Sequence, residues 1–78
     1  MKLIDVINLI PKETEFYVEE YDDRGNMTYA WRILPYGRKR RDSLKCAYDE
    51  EVIKIYAGKT NAFGNSSLII EVRYSEIY

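Results

Sequence analysis

Seventy-eight residues carrying twelve Lys and Arg against thirteen Asp and Glu have a formal charge of −1, too balanced for the broad positive field of a dedicated nucleic-acid-binding domain. One cysteine excludes an intramolecular disulfide, and the lack of histidine removes the usual zinc ligand sets. The length points to a single domain, residues 1–78, near the lower limit for folding without staples, and 46% hydrophobic and 14% aromatic residues, eight tyrosines among them, supply a core.

The first ten residues set Leu3, Ile4, Val6, Ile7 and Ile10 on one side at helical spacing. Pro11 cannot continue the ladder, so a short helix ended by proline is expected. A helix of this length is unstable alone and must lay its apolar stripe on a sheet. No hydrophobic run reaches the roughly 18 residues of a membrane span, and the N-terminus carries Asp5 and Pro11 where a cleaved leader would carry small residues. The expectation is a cytoplasmic protein without a membrane partner.

From Thr14 the period becomes two. Phe16, Val18 and Glu20 share one face, while Glu15, Tyr17, Glu19 and Tyr21 share the other. Asp22-Asp23-Arg24-Gly25-Asn26 supplies turn formers, and Met27 to Leu34 alternates again, so the two segments predict a β-hairpin. Beyond Pro35 the chain is polar and basic to about Lys45, with Asp42 as a candidate cap for a short helical turn near Ser43 to Tyr48. Glu51 to Ala57 and Ser67 to Tyr74 predict two further strands, joined by the loop Gly58 to Ser66, in which Phe63 is either a core or a contact residue. The predicted fold is α+β, an N-terminal helix packed on a four-stranded antiparallel sheet built from two hairpins, with a second face rich in Tyr and Glu.

Catalytic chemistry finds little foothold. Adjacent acids such as Glu19-Glu20 and Asp22-Asp23 point to opposite faces of a strand, and Ser43, Ser66 and Ser67 lack a histidine partner. Gly58 and Gly64 are followed by no Gly-Lys-Ser/Thr that would cradle a phosphate. Cys46 is read as a small buried hydrophobe. No enzyme activity, cofactor or metal site is expected.

Charge is segregated along the chain, −4 over residues 1–31, +5 over 32–48 and −2 over 49–78. The run Arg38, Lys39, Arg40 and Arg41 beside Tyr36 combines phosphate-seeking cations with an aromatic, which would allow weak, salt-sensitive contact with nucleic acid. Tyr and Arg are also the residues most enriched in protein-binding hot spots, and Glu19, Glu20, Asp22 and Asp23 form a second candidate patch of opposite sign, able to complement a basic channel of a partner.

The stretches LIDVINLIPKETEFYVEEYDDRGN, EEVIKIYAG and SSLIIEVRY resemble short proteins carried by phages and mobile elements of Gram-positive bacteria. Size and charge pattern are similar to those of anti-CRISPR proteins, which block RNA-guided nucleases at their DNA-binding surfaces or lock their domains. That resemblance implies a non-catalytic inhibitor of a host nucleic-acid-handling complex, such as a CRISPR effector nuclease with its guide RNA, acting in the cytoplasm of a bacterial host. The partner-binding residues expected on this reading are Tyr36, Arg38, Lys39, Arg40 and Arg41, with Glu19, Glu20, Asp22 and Asp23. The alternative is an accessory protein that binds nucleic acid directly through the basic loop 36–45.

Overall fold

A computed structural model describes residues 1–37, 41–59, 64 and 66–74. Arg38, Lys39, Arg40 and Phe63 lie outside the described residues. The described elements are α1 (Leu3–Ile7), β1 (Phe16–Tyr21), β2 (Met27–Ile33), a 3-10 turn (Lys45–Ala47), β3 (Glu51–Lys59) and β4 (Ser66–Arg73). None of these helices is long and apolar enough to cross a membrane.

The expected strands and both antiparallel pairs are present, but the sheet that joins them is mixed, in the order β2-β1-β4-β3. β1 runs antiparallel to β2, with Phe16 opposite Ile33 and Val18 opposite Trp31, and parallel to β4, with Val18 beside Ile70 and Glu20 beside Val72. β3 returns antiparallel to β4 at the far edge. An all-antiparallel sheet is therefore the wrong expectation, and the reason is the connection. β2 and β3 occupy opposite edges and run in the same direction, so residues 34–50 must cross the sheet, a task that needs a dozen or more residues where a hairpin needs only a few.

That crossover and α1 together cover one face. Leu3, Val6, Ile7 and Ile10 from the N-terminal segment, with Leu44 and Ala47 from the crossover, pack on Phe16, Val18, Ile33, Ile70 and Val72. The expected apolar stripe is thus buried, although the helix itself spans only five residues. Its last turns tighten, since the N–H groups of Leu9 and Ile10 donate three residues back to Val6 and Ile7, and Pro11 then ends the segment. Asp42 does not cap the 3-10 turn, whose N-cap is Leu44 without a side-chain hydrogen bond. Gly25 takes φ of 82° in the β1–β2 turn, where the Asp22 carboxylate accepts from the N–H groups of Arg24 and Asn26 at 2.9 Å each.

The opposite face carries the expected tyrosines and glutamates. Tyr21 donates to Glu19 at 3.0 Å, Tyr17 donates to Glu15 at 3.2 Å, and Arg32 closes an ion pair on Glu15 at 2.9 Å. Burial, followed by its hydrogen bond to Glu71, pushes the Tyr56 hydroxyl up to about 12. Tyr17, Glu19 and Ile69 are fully buried on this side.

Candidate binding groove

The strand period that sends Phe16 and Val18 into the core also sends Glu20 onto the core face, two residues further along β1. There the apolar cover gives out. Glu20 stands opposite Tyr29 on edge strand β2, and the crossover brings Glu50, the residue before β3, against it. The result is a groove of about 1030 Å³ between β2 and the 3-10 turn. Its wall is the pair Tyr29 and Trp31, two residues apart on one strand face, with ring centroids 4.7 Å apart and tilted by 55°. Cys46, Ser43 and Tyr74 line the other side.

The carboxyl of Glu50 lies against that of Glu20 in the groove. Ionised carboxylates only accept, so a hydrogen bond between the two needs a proton on one of them. Burial first, and then the bond and the charge of Glu20, push the Glu50 carboxyl up to about 8. Thr28 fixes the pair by donating its hydroxyl to Glu20 Oε1 at 2.6 Å. Glu50 Oε1 is sealed from solvent and has no hydrogen-bond partner. The one cation lining the groove among the described residues, Arg32, is held by Glu15 at 2.9 Å.

The residues singled out by the sequence are dispersed. Glu19 and Glu20, expected on a surface patch, are buried, because β1 lies inside the sheet with a neighbour on each side. Asp22 is occupied as the turn acceptor, and the N–H of Asn26, with smaller help from Arg24, holds its carboxyl below the usual range. Asp23 is exposed at the hairpin tip, in a hollow that shares Thr28 and Tyr74 with the groove.

Arg41 is bound into the fold. Its guanidinium donates to the carbonyls of Ile10 at 3.2 Å and Pro11 at 2.9 Å, reaches Ile7 at 3.5 Å, and lies 5.3 Å from the centre of the Phe16 ring. It closes the C-terminal end of the first helical segment, where the partial negative charge of the carbonyls favours a cation. Tyr36 is 73% exposed and held at φ of 57°, a left-handed conformation unusual for a bulky residue. Cys46, expected in the core, is exposed, since the 3-10 turn presents Ala47 inward and leaves Cys46 at the groove.

Sequence reading passed over Tyr29, Trp31 and Glu50 as site residues. Tyr29 and Trp31 did carry a signal, being alternate aromatics on a strand ending at a turn, but the partner of Glu20 is thirty positions away and meets it only through the crossover. No family model, curated protein or solved structure matches this chain.

Proposed function

We propose that this chain is a binding protein, not a catalyst, that docks a protein partner in the groove beside β2. The observation that carries the reading is the Tyr29–Trp31 pair: Tyr29 is 58% exposed, and Trp31 is anchored against the core while lining an open groove. Rigid aromatics at the rim of a concave surface are the usual anchors of protein recognition. The partner class is a host nucleic-acid-handling complex, inhibited in the manner of phage and mobile-element proteins. Supporting this class is the exposed acidic residue Asp23 beside the groove, whose charge complements the basic channel of such a complex.

Capture from a bacterial lysate, followed by titration of the purified complex, tests the reading. Tyr29→Ala is expected to keep the fold by circular dichroism and to weaken both binding and inhibition by about tenfold or more, the loss typical of an anchor aromatic. Unchanged inhibition by folded Tyr29→Ala would refute it.

A second reading, direct nucleic-acid contact through loop 36–45, is favoured by the exposure of Tyr36 in its left-handed conformation. It requires a labelled strand to shift without any partner, with affinity falling several-fold as salt rises. No shift at low salt removes it.

A further inference from the structure

The groove joins two features that recognise one kind of group. The tilted aromatic pair offers faces and edges to a hydrocarbon stem or a cation, and the Glu20–Glu50 carboxyls behind it can accept hydrogen bonds. The charged and titratable groups that line the groove with Glu50 are Glu20 from β1, Tyr29 from β2, Cys46 from the 3-10 turn and Tyr74 after β4, together with Arg32, whose guanidinium is drawn to Glu15 on the opposite sheet face. Arg32 is committed to Glu15, so among the described residues lining the groove no side-chain cation pairs with the two carboxyls. The unpartnered Oε1 of Glu50 leaves one acceptor unused. Such an arrangement is incomplete in its own charge, and it is complementary to a donor with a positive head and an apolar stem.

We propose that the groove receives a lysine or arginine side chain of the protein partner, its stem along Tyr29 and Trp31 and its head at the Glu20–Glu50 carboxyls. The proposal rests on groove docking and names what the groove reads. Burial pushes the Glu50 carboxyl up to about 8, so as the positive side chain enters, the proton on Glu50 leaves to buffer and the carboxylate accepts a charge-assisted hydrogen bond. Selectivity follows from the same geometry. A neutral side chain of equal length brings no charge to the carboxyls, so it gains only the aromatic contact.

The test uses the full chain and two acetylated, amidated pentapeptides, Gly-Gly-Lys-Gly-Gly and the same peptide with norleucine for lysine. Trp31 is the only tryptophan, so its fluorescence reports the groove directly, and amide chemical shifts locate the contact. At pH 9 the lysine peptide is expected to bind about tenfold more tightly than the norleucine peptide. Release of a proton makes affinity for the lysine peptide rise by up to about tenfold per pH unit from pH 6, levelling near pH 8 where Glu50 ionises unaided. The norleucine peptide is expected to show no such rise.

Glu50→Gln should cut the lysine preference about fivefold or more and flatten the pH profile, and Glu20→Gln, measured alongside, guards against a folding defect in one variant. Equal binding of the two peptides, or an unchanged pH profile in a folded Glu50→Gln protein, overturns the proposal. The two readings fail separately. Loss of the partner by Tyr29→Ala with no lysine preference overturns the cationic occupant and leaves groove docking standing. A pH-linked lysine preference alongside normal partner binding by Tyr29→Ala refutes groove docking and, with it, the partner as the source of the cation.

Discussion

Arg41 offers the sharpest test of the fold, because a surface-contact role and a structural role predict opposite results for one substitution. Arg41→Ala removes two well-placed guanidinium hydrogen bonds, to Ile10 at 3.2 Å and Pro11 at 2.9 Å, a longer one to Ile7 at 3.5 Å, and the contact with the Phe16 ring. Hydrogen bonds to charged groups contribute about 1.5–3 kcal/mol each when buried; the bond to Pro11 is exposed and that to Ile10 half-buried, so about 1 kcal/mol each is appropriate. The ring contact adds about 0.5 kcal/mol. The expected loss is about 2–3 kcal/mol, which lowers the midpoint of thermal unfolding by roughly 10–20 °C in a domain of this size.

Urea and thermal unfolding followed by far-ultraviolet circular dichroism measure the loss. Arg41→Lys, whose single ammonium cannot fork between carbonyls, should lose about half as much. A change below about 0.5 kcal/mol, the range of ordinary surface substitutions, would refute the capping role. One consequence bears on the basic run. Alanine replacement across Arg38 to Arg41 would mix unfolding with any loss of contact, so a binding test must keep Arg41.

Two further outcomes follow from the same geometry. The Glu50 carboxyl is raised in the folded state to about 8 from 4.5, so between those values the folded protein holds a proton that the unfolded chain has released, and stability should fall as pH rises across that window. Urea midpoints at pH 5, 6, 7 and 8 should descend in the wild type and descend less steeply in Glu50→Gln; equal slopes would show that Glu50 is not the group responsible. Tyr36→Gly relieves a left-handed conformation at an exposed site, and after the entropy cost of glycine it should stabilise the protein by about 0.5–1 kcal/mol in the same urea measurement. A loss of stability would mean that the Tyr36 side chain contributes more to the fold than its strained backbone costs.

Much of the architecture was written locally. Two-residue alternation in Phe16 to Tyr21 and Met27 to Ile33 sorted side chains to the correct faces, and the Asp22–Gly25 turn chemistry joined them as a hairpin. The stripe Leu3, Val6, Ile7 and Ile10 named the buried side of the first segment even though the helix stops at Ile7. These features depend on neighbours within a few residues, where backbone geometry fixes which way each side chain points.

How the two hairpins meet is a different kind of information. β1 could have found β3 or β4 with the same alternation, and the parallel choice hangs on the 34–50 crossover, whose length was the one clue in the sequence. That choice decides the rest. It buries Glu19 and Glu20 by making β1 an interior strand, carries Arg41 to the carbonyls of Ile10 and Pro11, and sets Glu50 against Glu20. Composition and pattern determined the elements and their apolar faces. Long-range pairing decided which charges are solvated, which are structural and which carboxyl is pushed up by burial, because the free energy of a charge depends on the groups packed around it and not on those beside it in the chain.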